Sequence, residues 1–126
     1  MLSPGAIEVL FEQADIMVEG GEELGGRREI DRRIYATVMV TIDLSRGASY
    51  FREPADEATA RRVAELMEAD PQVKERLHQL AGREVARLAD AEPDSLALAI
   101  ETGVRVDGTS VLVDIDVMAT QSKGRG

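Results

Sequence analysis

The chain reads as a two-layer α+β domain. The expected architecture is an antiparallel sheet of three to four strands with a C-terminal hairpin, covered on one face by three helices. Three observations carry this expectation. Residues 34–44 alternate apolar and polar with a period of two, residues 54–92 hold two helical stripes split by an Asp-Pro pair, and residues 98–117 form two alternating runs around Asp107-Gly108. Alternation of this kind leaves one apolar sheet face in need of a cover, and amphipathic helices supply it. At 126 residues the chain forms one domain, residues 1–126, long enough to bury a core without disulfides or metal.

The opening "MLSPGAIEVLFEQADIMVEGG" places Ser3 as N-cap and Pro4 in the first turn. Ile7, Leu10, Phe11, Ala14, Met17 and Val18 recur at helical spacing until Gly20-Gly21, which predicts one helix up to the glycines. Residues 21–33, rich in Gly and Arg, read as a flexible loop. The next strand points Ile34, Ala36, Val38, Val40, Ile42 and Leu44 to one face, and "ASYFR" (48–52) is expected to return as a short edge strand. Ala60, Val63, Ala64 and Met67 mark a second helix. A third begins at Asp70-Pro71, with Val73, Leu77, Leu80, Ala81 and Leu88 as its stripe. Gly82 is expected at a close helix crossing, Pro93 is expected to close the helix, and residues 121–126 read as a flexible tail.

Asp107-Gly108 is a strong two-residue hairpin signal, because such turns favour positive φ at both positions. The register that follows opposes Val106 to Thr109, Val104 to Val111, Ile100 to Ile115 and Leu98 to Val117 on the covered face. On the other face it sets Glu101 against Asp114 and Ala99 against Asp116. A solvated like-charge pair on a sheet costs only about 0.2–1 kcal/mol, so the three acids require no metal to explain them. They fit a hydrated, partner-facing surface, and they discourage random edge-to-edge pairing of sheets.

The net charge of −9 opposes binding to nucleic acid or to an anionic membrane. Only two of the fifteen basic residues are lysines, and Arg27, Arg28, Arg32 and Arg33 concentrate positive charge within one short segment. That segment and the acids Glu101, Asp114 and Asp116 are the candidate partner-binding residues. The absence of cysteine excludes disulfides, thiolate metal sites and cysteine nucleophiles, and it fits a cytoplasmic setting. No run of apolar residues is long enough for a membrane span, and the N-terminus does not read as a signal peptide.

No catalytic motif stands out. His78 is the single histidine, no serine sits in a Gly-x-Ser-x-Gly elbow, and "GGEELGG" lacks the Lys and Ser/Thr of a phosphate loop. Four aromatic residues, Phe11, Tyr35, Tyr50 and Phe51, are too few for a base-stacking platform. The sequence thus predicts no catalytic residue, no metal and no cofactor.

The segment "REVARLADAEPDSLALAIETGVRVDGTSVLVDIDV" runs from a long helix through an acidic, proline-containing turn into a strand and a hairpin. It resembles the helix–turn–hairpin core of tailed-virus neck proteins, of the head–tail connector and tail-completion type. The resemblance covers the C-terminal half and implies a non-enzymatic ring subunit located in the virion. The leading expectation is therefore a structural or assembly protein acting through homo-oligomeric contacts. A small cytoplasmic accessory module that binds another protein is one alternative. A ligand-binding domain or metal-dependent enzyme using the exposed sheet face is the other.

Overall fold

A computed structural model describes residues 4–23, 31–45 and 56–122. In chain order these form α1 (Pro4–Glu12), β1 (Asp15–Glu23), β2 (Asp31–Asp43), α2 (Glu57–Ala69), α3 (Pro71–Ala89), a short 3₁₀ turn (Pro93–Ser95), β3 (Leu96–Asp107) and β4 (Ser110–Ser122). The four strands make one antiparallel sheet in the order β1-β2-β4-β3, so the two-layer α+β class holds. The central strands β2 and β4 are neighbours in space although two helices and a strand separate them in sequence.

The core lies between one face of the sheet and the helices. Ile34, Val38, Val40 and Ile42 of β2 meet Val111, Val113 and Ile115 of β4, all at most 1% exposed. From the helices, Ala60, Val63 and Met67 of α2 and Val73, Leu77, Ala81 and Val85 of α3 close over them. Leu10 and Phe11 bring α1 into the same cluster. Arg76 of α3 holds that helix in place, with its guanidinium 5.5 Å from the centre of the Phe11 ring and 3.0 Å from Glu8 Oε2.

Asp70 joins the two long helices. Its backbone N–H donates to Leu66 O and ends α2, while its side chain accepts from Gln72 N at 2.8 Å and starts α3. Pro71 suits the first turn of α3, where its missing N–H is not needed.

Several expectations are corrected. The first helix stops at Glu12, and residues 15–23, expected as its continuation and as loop, form edge strand β1. Ile16 and Val18 pair with Val40 and Val38 on the covered face, so a period of two replaces the helical one there. Of the loop expected over 21–33, residues 21–23 belong to β1 and 31–33 to β2, and residues 24–30 lie outside the described residues. Of the flexible tail expected over 121–126, Gln121 and Ser122 belong to β4 and pair with Arg32 and Asp31.

Leu88, expected in the buried stripe of α3, is 45% exposed, and Val85, Ala86 and Ala89 are buried in its place. The helix ends before Pro93: Asp90 takes the left-handed conformation (φ 53°) and its N–H donates to Ala86 O and Arg87 O. Gly82 marks a close approach to a strand and not to a helix, since a Cβ there would stand 3.1 Å from Leu98 Cδ1. The expected edge strand at 48–52 lies outside the described residues.

The hairpin register is displaced from the expected one. Gly108 has φ 62° whereas Asp107 does not have positive φ, so the two loop residues are Gly108 and Thr109, and Asp107 pairs with Ser110. Glycine at the first central position matches the type II′ hairpin. Val106 therefore opposes Val111, Thr102 opposes Ile115, Ile100 opposes Val117 and Glu101 opposes Asp116. Each partner moves by two residues, an even number, so both faces keep their expected membership.

Three measurements check this account. Ile115→Ala, in the fully buried centre of β4, should lower unfolding free energy by about 2–5 kcal/mol in chemical denaturation. Gly20→Ala should cost more than about 1 kcal/mol, because Gly20 has φ 96° and a Cβ would stand 2.9 Å from Tyr35 O.

The third concerns Asp56, the N-cap of α2, which accepts from Thr59 N at 2.8 Å. That hydrogen bond, seconded by the Thr59 side chain and the nearby charge of Arg62, holds its carboxyl below the ordinary aspartate value. The stability it contributes is complete above the ordinary value and disappears as pH falls towards the lowered one. Asp56→Asn should therefore lose less stability than the parent across that acid window in thermal melts.

Candidate functional site

The face of the sheet opposite the helices has no cover among the described residues, and the strand register builds it row by row. One row runs Glu19, Thr37, Asp116, Glu101 across all four strands. The next runs Met17, Met39, Asp114, Gly103, and the one beyond it Asp15, Thr41, Leu112, Arg105. On the other side of the acidic row lie Tyr35, Met118 and Ala99, then Arg33, Thr120 and Ala97. Asp114 and Asp116 share this face because they are two residues apart on one strand.

The surface is therefore mixed. Met17 is 62% exposed, and Tyr35 and Met118 are 38% exposed each, so large apolar side chains stand in water between carboxylates. A shallow trough of about 650 Å³ crosses the middle, with Tyr35, Thr37, Glu101, Asp116 and Met118 among its walls. Ala99 keeps its floor low. Gly103 has nothing within 4 Å of where a Cβ would stand.

Within the acidic row, Thr37 Oγ1 donates to Asp116 Oδ1 at 2.9 Å, which orients that carboxylate towards β2. Glu101 stands directly opposite Asp116, so two carboxylates face each other across the β3–β4 ladder. Asp43, at the end of β2, accepts from Ser45 N and Oγ at 3.0 and 2.7 Å and is engaged in its own turn. Among the described residues no group of three or more His, Asp or Glu is arranged to hold a metal ion. The face offers carboxylates to cations and hydrogen-bond donors, and thioethers and a phenol ring for apolar contact.

The structure brings Glu101, Asp114 and Asp116 onto one face as the hairpin pattern predicts, with Asp116 and not Asp114 opposite Glu101. Arg33 is exposed and lies on that same face, opposite Thr120, at the end away from the hairpin turn. Arg32 of β2 pairs with Gln121 of β4. Arg27 and Arg28 lie outside the described residues. His78 is exposed on α3, beside the edge of β3.

Sequence reasoning missed Met17, Glu19 and Met118 as members of this surface. Only the β3–β4 rows were readable, because a two-residue turn fixes their register. The β1–β2 and β2–β4 pairings are not fixed by any such local signal. The alternation Asp15-Ile16-Met17-Val18-Glu19 was the one available clue to β1.

No family model matches the chain, and neither a curated protein nor a solved structure is significantly similar to it.

Calorimetric titration with magnesium, calcium and manganese should show no site-specific heat on the acidic row. A micromolar site that disappears in Asp114→Asn would instead assign metal chemistry to this face.

Proposed function

We propose that this protein is a non-enzymatic assembly protein that works through protein–protein contacts on the open face of its sheet, with copies of itself as the first partners. The observation that carries the reading is the composition of that face. Exposed Met17, Tyr35 and Met118 are interleaved with Glu19, Glu101, Asp114 and Asp116 across a continuous four-stranded surface. Aromatic and methionine side chains are enriched where proteins meet, and an apolar patch among charges is the usual form of a contact surface.

Carboxylates on such a face favour a cationic counterpart. Within this chain the one concentrated cationic sequence is Arg27, Arg28, Arg32 and Arg33. A contact between acidic face and basic segment is head-to-tail, and it closes into a ring when its rotation allows. The resemblance of residues 83–117 to tailed-virus neck proteins supplies a concrete version of this reading, a connector ring in a virion. Exposed charge pairs in such a contact set register and association rate more than affinity, and salt weakens them.

Sedimentation of two variants tests the reading. Met17→Ser/Met118→Ser should melt like the parent but lose self-association, as should the variant with all four arginines changed to serine. A parent that sediments as a monomer at every salt concentration would shift the reading to an accessory module serving a different protein. Unchanged assembly in both variants would remove the open face from the contact.

A further inference from the structure

β3 is the outermost strand on its side, and among the described residues it presents an unpaired outer edge, separate from the open face. Proteins usually blunt such edges with proline, lysine, a bulge or a short strand. The opposite edge is blunted in this way, since β1 carries a bulge between Gly20 and Glu22 and a row of acids. β3 lacks the bulge, and its mid-strand charges, Glu101 and Arg105, are opposite in sign rather than a row of acids. It runs unbroken from Leu96 to Asp107, without proline or lysine, in continuous register with β4.

Its inward side chains are also incompletely covered. Leu98, Ile100, Val104 and Val106 are half-buried, whereas Val111, Val113 and Ile115 on the adjoining strand are fully buried. Beside them an open groove of about 770 Å³ separates the strand from Met67, Lys74 and His78 on the helices. The backbone is aimed correctly as well. A two-residue loop closes on a hydrogen-bonded pair, Asp107 with Ser110, and such pairs alternate along an antiparallel ladder. Odd-numbered residues of β3 thus direct their N–H and C=O groups to β4. Ile100, Thr102 and Val104 direct theirs to the free edge.

We propose that a second copy of the chain pairs with β3 in antiparallel fashion about a two-fold axis at Gly103, making one sheet continuous across both copies. This deepens the reading of the protein as one that assembles with itself, and rests on it. A two-fold contact uses the same patch on both copies, so each favourable pair occurs twice. With the axis at Gly103, Glu101 of each copy faces the partner's Arg105, while Thr102 faces the partner's Val104 and Ile100 faces the partner's Val106.

Neighbouring registers lose this match. An axis at Thr102 sets Glu101 against glycine, one at Val104 sets it against Asp107, and one at Glu101 sets it against itself. The charge match also answers a need within the fold. Glu101 is opposed by Asp116 on its β4 side, and among the described residues neither Glu101 nor Arg105 has an ion-pair partner. A guanidinium arriving from the free side relieves that like-charge contact. At the axis itself two backbones of a non-hydrogen-bonded pair approach to about 4.5 Å, and Gly103 presents no side chain there.

Sedimentation equilibrium with a charge cycle tests the pairing. Glu101→Arg and Arg105→Glu each replace two attractive pairs by two repulsive ones and should weaken dimerisation by at least about tenfold. The double variant Glu101→Arg/Arg105→Glu should recover the parental constant. Thr102→Pro should abolish the dimer while melting close to the parent, because proline is tolerated on an edge strand where its N–H would face solvent.

A monomeric parent, or single variants that dimerise like the parent, overturns the edge pairing. Loss of association in Met17→Ser/Met118→Ser with the edge variants unaffected overturns it too, while leaving the open-face reading intact.

Discussion

The pairing of β2 with β4 is the constraint on which the rest of the molecule depends. Asp31–Asp43 meets Ser110–Ser122 residue for residue without a bulge. This one ladder joins an N-terminal hairpin to a C-terminal one and sets two continuous surfaces back to back. On one side it aligns the branched aliphatics that α2 and α3 cover; on the other it aligns Thr37 with Asp116 and Met39 with Asp114. A shift of this ladder by one residue would exchange the two surfaces and bury carboxylates under the helices. The tie between Leu44 N and Thr109 O, 3.1 Å long, fixes the end of β2 against the hairpin turn.

Much of this was legible because the signals were local. The alternation at 34–44, the Asp70-Pro71 joint and the glycine of the last hairpin each state their structure within a few residues. The failures were places where two local readings competed. Met17 and Val18 fit a helical stripe with Leu10, Phe11 and Ala14 as well as they fit a strand, and only the partner strand β2 decides between them. Asp107 is as acceptable in a turn as at a strand end, so the hairpin register turned on which residue takes positive φ. The candidate surface was half visible for the same reason. Its acids lie on strands whose pairing a turn dictates, while its methionines owe their position to pairings across long sequence separations.

The surface and the edge differ in what they offer. The open face supplies area and apolar contact but no backbone hydrogen bonds, since every strand there is viewed from above. The edge supplies backbone hydrogen bonds and a charge pattern that selects one register. Head-to-tail contacts through the face combined with two-fold contacts through the edge would generate dihedral assemblies. The bulge at Gly20–Glu22 matters in this setting, because it breaks the regular edge that β1 would otherwise present to a further strand.

The strand order β1-β2-β4-β3 also has a consequence for how the chain acquires its structure during synthesis. β2 is made before both long helices and β3, yet the strand that completes its hydrogen bonding on one side is made after them. Until then the apolar row from Ile34 to Ile42 has only β1 and the growing helices against it. Long-range pairings of this kind fold slowly and leave unpaired edges exposed on the way. The acids along β1 therefore also bear on the nascent chain, where like charge helps keep an unfinished hairpin from pairing with its neighbours on the same polysome.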